Sequence, residues 1–203
     1  MKMPKIKICG LSRIEDIQEA NKLELDYIGF VFAKSKRQIT VEQARELKVG
    51  LRKNIQVVGV FVNHSIKEMI ELRNEGIIDV VQLHGTETED IIVQIKNSNP
   101  STKIIKAVSM TCVEDALKWN DSKVDYLLLD HGAGGTGEVF DWSLLEGLEA
   151  FKKPYFIAGG LNPENVADVL VYKPFGVDVS GGVETLGKKD CEKMRGFVEK
   201  VRN

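Results

Sequence analysis

The sequence predicts an α/β fold of the closed parallel barrel class, (β/α)8 or TIM barrel, eight strands each followed by a helix. Short apolar, β-branched runs alternate with longer amphipathic segments along all 203 residues, and eight such runs can be counted. Polar or reactive side chains, Cys9, His84, Asp130 and Ser180, recur at the C-terminal ends of those runs. The last two runs end in glycine-rich turns, YFIAGGLNPENV (155–166) and GVDVSGGVE (176–184). Barrels of this class build a phosphate cup from their final two strand-to-helix loops.

The first strand is IKIC (6–9), and Ser12 before Arg13 to Asp16 marks the start of a helix over Ile14–Leu25. YIGFVF (27–32) follows, then a helix over Val41–Leu51 opened by Thr40. VVGVFV (57–62) leads to Ile66–Glu75, VVQLH (80–84) to Glu87–Lys96, and IIKAV (104–108) to Cys112–Trp119. YLLLD (126–130) precedes Trp142–Phe151, and YFIAG (155–159) precedes Glu164–Leu170, where Pro163 occupies the first helical turn. GVDVS (176–180) is the eighth strand and a last helix runs near Asp190–Val201. The helical segments carry apolar residues at i, i+3 and i+4 spacing. Continuous apolar strands separated by helices pair in parallel through right-handed crossovers. An open doubly wound sheet satisfies the same local rules. The count of eight, and reactive residues gathered at one end, favour closure.

At this length a single domain, residues 1–203, buries one sizeable core. Charged residues make up 29% and nearly balance to a net charge of -2, so no basic field exists for nucleic acid or an acidic membrane. The N-terminal MKMPKIKICG lacks a signal-peptide pattern and no apolar run approaches the ~20 residues that span a bilayer, so a cytoplasmic protein is expected. Cys9, Cys112 and Cys191 are odd in number and far apart, which indicates neither a disulfide framework nor a thiolate zinc site. No long apolar stripe stands out beyond the helix faces the core needs, so a monomer is the default, with a homodimer as the alternative.

Cys9 ends the first strand beside Gly10, placing its thiol at the barrel mouth, where an accessible thiolate serves as base or nucleophile. The bland reading of a strand cysteine is a small buried hydrophobe, and position argues against it. Asp130 closes the LLLD run, a partly desolvated setting that favours a protonated acid; its bland reading is a cap. On strands one and six the pair can face one ligand from opposite sides. His64, His84 and His131 each follow a strand, but no carboxylates to orient them are evident, so no metal and no cofactor are expected. His84 is instead a pocket-lining donor. In AKSKRQIT (33–40), Arg37 supplies a planar guanidinium for a ligand carboxylate, where the ordinary reading is a solvated loop. Gly159, Gly160, Gly181 and Gly182 permit close backbone approach, and Ser180 with successive N–H groups can donate to an anion. The glycine-rich stretch at 132–138 reads as an active-site loop.

KICGLS (7–12), GFVFAKSKRQIT (29–40), VGVFVN (58–63), VQLHG (81–85), LLLD (127–130), GGTGEVFDW (134–142), AGGLNPENV (158–166) and VDVSGGVE (177–184) together closely resemble the phosphoribosylanthranilate isomerases of tryptophan biosynthesis. The resemblance covers essentially the whole chain in order. It implies an Amadori rearrangement of a phosphosugar, with Asp130 as general acid on the furanose oxygen and Cys9 as general base on the C2′ proton. It further implies Arg37 at the anthranilate carboxylate, His84 lining the pocket, Asp178 contacting the ribose or a neighbouring loop, and phosphate held by Gly159–Gly160 and Ser180–Gly182. The family usually reads VDVSSGVE, and Gly181 stands here at the second serine. Losing that hydroxyl donor should weaken phosphate binding by about 1 kcal/mol. Other phosphosugar barrels are the competing enzymes: a pentose-phosphate epimerase calls for a metal, and the histidine-pathway isomerase for a second phosphate loop. A catalytically silent phosphate-binding module is the alternative from outside enzymes.

Overall fold

The structure, a computed structural model, describes residues 3–130 and 150–203. The expected helix Trp142–Phe151 lies almost wholly outside the described residues, as do His131 and the glycine-rich stretch 132–138. Eight parallel strands close into a barrel in the order β1-β2-β3-β4-β5-β6-β7-β8, with β8 pairing back onto β1. In sequence these are β1 (Lys5–Cys9), β2 (Tyr27–Val31), β3 (Gln56–Phe61), β4 (Val80–Leu83), β5 (Lys103–Ser109), β6 (Tyr126–Asp130), β7 (Tyr155–Ile157) and β8 (Gly176–Val179). Helices α1 (Ile14–Lys22), α2 (Val41–Val49), α3 (Ile66–Asn74), α4 (Glu89–Ser98) and α5 (Glu114–Leu117) follow the first five strands. After β8 the chain makes a small antiparallel hairpin, β9 (Glu184–Thr185) with β10 (Lys188–Lys189), and then α6 (Cys191–Arg202).

Strand alternation divides the core in two. Ile6, Ile8, Ile28, Phe30, Leu127, Leu129, Val177 and Val179 join the helix residues in the main cluster, while Tyr27, Val58, Val80, Ile105, Leu128 and Phe156 form a separate one. Successive strand residues face opposite sides, so the first set points to the helices and the second fills the barrel interior. On β1 the interior positions are Lys7 and Cys9.

The N-terminal ends of the strands carry a recurring carboxylate device. Asp26, Asp79 and Asp125, each just before an even-numbered strand, accept from Ile6 N at 2.9 Å, Val57 N at 2.8 Å and Ile104 N at 2.9 Å on the preceding odd one. A lysine completes each: Lys5 on Asp26, Lys48 on Asp79 at 2.7 Å, and Lys96 on Asp125 at 2.6 Å. That end of the barrel serves stability, leaving the other for chemistry.

Several boundaries differ from the sequence expectations. The first helix begins at Ile14, and Ser12 is not its cap. Instead Asp16 Oδ2 accepts from Ser12 N at 3.0 Å and Arg13 N at 3.1 Å, an acidic side chain inside the first turn satisfying the exposed donors. Thr40 does cap α2, accepting from Gln43 N at 3.2 Å while Gln43 Oε1 accepts from Thr40 N at 2.8 Å. The segment read as Cys112–Trp119 shortens to α5, because Asp115 ties Thr111 and Cys112 into the turn before it. Glu164–Leu170 is replaced by a 3-10 helix at Val166–Tyr172. Its buried residues are Val166 and Val169, three apart, the spacing that aligns on one face at three residues per turn. β-branched valines also disfavour a full α-helix there. The β9–β10 hairpin has no counterpart in the sequence reading.

Candidate active site

Cys9, Asp130 and Asp178 are buried at the C-terminal end of the barrel, at 8%, 7% and 9% exposure. β6, β7, β8 and β1 are consecutive around the barrel, so Asp130, the two glycine-rich turns and Cys9 occupy one contiguous sector. In this ring of eight, β1 and β6 stand three strands apart, nearly across the barrel mouth, with the two glycine turns on the arc between them. Adjacent strands are roughly 4.8 Å apart, so a sugar-sized ligand spans the sector.

Cys9 pairs in register with Gly29 on β2, where an added Cβ would stand 2.6 Å from the thiol sulfur. The glycine makes the room in which the Cys9 side chain lies. Burial pushes the thiol above its ordinary value; Lys7 and Lys189 pull it down, and Asp178 adds to the upward push. Lys7 is fully buried, and its Nζ lies 2.9 Å from Asp178 Oδ1. β1 and β8 bring the two together as register partners. Burial works against the Lys7 charge, but Asp178 and Cys9 more than offset it and hold the ammonium above its ordinary value.

His84, one residue beyond β4, has Nδ1 3.0 Å from the Gln82 amide nitrogen. An amide donor there leaves the neutral ring proton on Nε2, which faces Asp130 Oδ2 at 3.6 Å, beyond hydrogen-bond length. His64 turns back on its own loop, with Nδ1 3.1 Å from Val62 O and its ring edge-on to Phe61. It therefore does not join His84, and among the described residues no three His, Cys, Asp or Glu gather as ligands for a metal ion.

The two glycine turns meet. Gly159 and Gly160 have φ of 81° and 68°, left-handed values that favour glycine, and the Gly181–Val183 turn packs on the backbone just beyond them. A Cβ on Gly182 would fall 1.9 Å from Leu161 O. Ser180 is placed less simply than expected. Its hydroxyl donates to Cys9 O at 3.0 Å, leaving its backbone N–H and those that follow for an anion. Arg37 holds a bidentate pair with Glu184, Nε to Oε1 at 2.6 Å and Nη2 to Oε2 at 3.0 Å. Lys189, 5% exposed, donates to Glu184 Oε1 at 2.7 Å and to Ser180 O at 2.9 Å. Burial raises Glu184, but Arg37 and Lys189 together bring it down to about 2.

The sequence reading missed Lys7, Glu184 and Lys189. Alternation on β1 could have placed Lys7 beside Cys9, because residues two apart share a face. Glu184 and Lys189 depend on the hairpin, for which two-residue strands leave almost no periodic signal.

Fold and mouth together place the chain in the class of parallel (β/α)8-barrel enzymes, with buried titratable groups at the C-terminal strand ends. Residues 6–200 match the family model described as N-(5′-phosphoribosyl)anthranilate (PRA) isomerase. The N-(5′-phosphoribosyl)anthranilate isomerase of Thermoanaerobacter sp. (strain X514) is 47% identical over 205 residues, covering 98% of each chain. A crystal structure of the monomers of the dimeric phosphoribosylanthranilate isomerase from Thermotoga maritima is similar at TM-score 0.86 and 36% identity, covering 98% of this chain and 99% of that one. A phosphoribosyl anthranilate isomerase crystallised with reduced 1-(o-carboxyphenylamino)-1-deoxyribulose 5-phosphate matches with the same TM-score of 0.86, identity of 36% and coverage of 98% and 99%. The chain belongs to the N-(5′-phosphoribosyl)anthranilate isomerase family.

Proposed function

We propose that this chain converts N-(5-phosphoribosyl)anthranilate to 1-(2-carboxyphenylamino)-1-deoxyribulose 5-phosphate, with Asp130 as general acid and Cys9 as general base. The observation that carries the reading is the single sector from β6 to β1, where a carboxyl, two touching glycine turns and a thiol stand in order. The turns hold the phosphate through backbone N–H groups at Gly159–Gly160 and Ser180–Gly182, fixing the sugar between acid and base.

Asp130 gives its proton to the furanose oxygen as the C1′–O bond breaks, and the anthranilate nitrogen lone pair forms the C1′ iminium. Cys9 then takes the C2′ proton. The C–H electron pair becomes the C1′–C2′ double bond, the iminium nitrogen recovers its pair, and the enolamine tautomerises to the ketone. Because burial keeps the thiol above its ordinary value, the resting group carries its proton at neutral pH and kcat/KM rises with pH through its titration. His84 lines the pocket next to Asp130, and Arg37, oriented by Glu184, faces the anthranilate carboxylate. Asp178, paired with Lys7 on the same sector, contacts the ribose or a neighbouring loop.

Loss of anthranilate-type fluorescence as substrate is consumed is the direct assay. Steady decay with purified protein is the expected result, and bound ligand without decay would reduce the chain to a binding module. Chelation should leave the rate unchanged. Phosphorylated sugars do not cross bilayers unaided, so a cytoplasmic enzyme acting as a monomer completes the reading. Sedimentation velocity decides between monomer and homodimer.

A further inference from the structure

Lys7 is a cation inside the barrel that the acid–base roles leave without a task. It shares the inward face of β1 with Cys9, two residues on, and has no exposed surface. Among the described residues its ion-pair contact is Asp178 Oδ1 at 2.9 Å, where neither atom achieves an aligned hydrogen bond. A buried ammonium is costly and usually sheds its proton. The charged groups facing Cys9 are Lys7 from its own strand, Asp178 from β8 and Lys189 from β10. Asp178 is in turn faced by Asp130 and His84. Lys189 is committed by hydrogen bonds to Glu184 and Ser180, and Glu184 is also held by Arg37. Among the described residues Lys7 Nζ has no aligned acceptor, so its N–H donors are uncommitted.

We propose that Lys7 is a positioning residue for the base: held beneath the mouth by Asp178, its ammonium turns its N–H donors onto the Cys9 sulfur and is the counter-charge of the thiolate that receives the substrate proton. This rests on reading Cys9 as the general base. Cys9 loses its proton to solvent, the thiolate is paired with Lys7, and the proton arriving from C2′ returns the sulfur to a neutral thiol. Lys7 then reverts to Asp178. Lys7 keeps its own proton throughout, touches no atom of the substrate and acts only through the Cys9 sulfur.

The test is site-resolved alkylation of Cys9 by iodoacetamide across pH, read by peptide mass spectrometry, alongside the pH profile of kcat/KM. In Lys7→Met the labelling midpoint should move up by about one pH unit or more, the scale of a lost neighbouring charge. The acid limb of kcat/KM should move with it, and turnover should recover at alkaline pH. If Lys7→Met does not fold, Asp178→Asn carries the test: freeing Lys7 and removing the competing anion should move the labelling midpoint down. An unmoved midpoint in folded Lys7→Met, or an unmoved or raised one in Asp178→Asn, overturns the proposal. Cys9→Ala separates the two ideas, since full activity in that variant removes the base reading and not the labelling result.

Discussion

Cys9 and Asp130, the base and acid proposed above, sit in different surroundings. The thiol is pushed up by burial and drawn down by two lysines, while the carboxyl ends an apolar strand beside His84. Cys9→Ala and Asp130→Asn should each lower turnover by roughly 10²–10⁴-fold, the usual worth of one general acid or base, with the melting temperature little changed. Steady-state kinetics beside thermal denaturation checks this, and near-normal turnover in either variant removes that residue from the mechanism. Two neighbouring glycines make a second residue-scale contrast. Gly182→Ala drives a methyl into Leu161 O, a backbone atom 1.9 Å from the new Cβ, so this variant should lose phosphate binding or fail to fold. At Gly181 a new Cβ meets only Arg37 Nη2 at 3.2 Å, the far end of a flexible side chain. Gly181→Ser should therefore fold and tighten inorganic phosphate as a competitive inhibitor by about fivefold, one added hydrogen bond. Inhibition constants for the two variants settle both expectations.

At the scale of elements, each strand separates two tasks along its length. The Asp26, Asp79 and Asp125 devices fasten odd strands to the following even ones at the N-terminal end, and the opposite end carries the reactive groups. For Asp125, burial favours the neutral acid, but hydrogen bonds from Lys103 and Lys96 outweigh it and hold the carboxyl below its ordinary value. A carboxylate lowered in the folded state contributes stability above its unfolded value, and that contribution fades as pH falls through the folded one. Asp125→Asn should cost about 1–3 kcal/mol at pH 7 and much less near pH 2. Urea denaturation at the two pH values tests the sign. The β9–β10 hairpin works across elements: Glu184 reaches the β2 loop at Arg37 while Lys189 reaches Ser180.

For the whole molecule, closure is the decisive event. β1 and β8 are the barrel strands most distant in sequence, and their pairing sets Lys7 against Asp178 and Cys9 beside Ser180. The site therefore cannot outlast the barrel. Cys9 should become reactive to a thiol reagent over the same denaturant range in which far-UV ellipticity is lost, as one cooperative domain requires. A separate, earlier exposure of Cys9 would show that the β8–β1 seam opens by itself.

The alternation of apolar runs with amphipathic segments, the glycine turns and the positions of Cys9, Asp130 and Arg37 were legible in the sequence because each is a local pattern. Strand order followed from eight repeats of one unit. Local pattern could not show that Arg37 meets Glu184, that Ser180 gives its hydroxyl to Cys9 O, or that the Gly182 turn packs against Leu161 O. It also passed over Lys7, whose place becomes meaningful only when a strand from the far end of the chain brings Asp178 to within 2.9 Å. Periodicity records which face a residue takes. Which charges share that face depends on barrel closure and register, and these the tertiary structure alone decided.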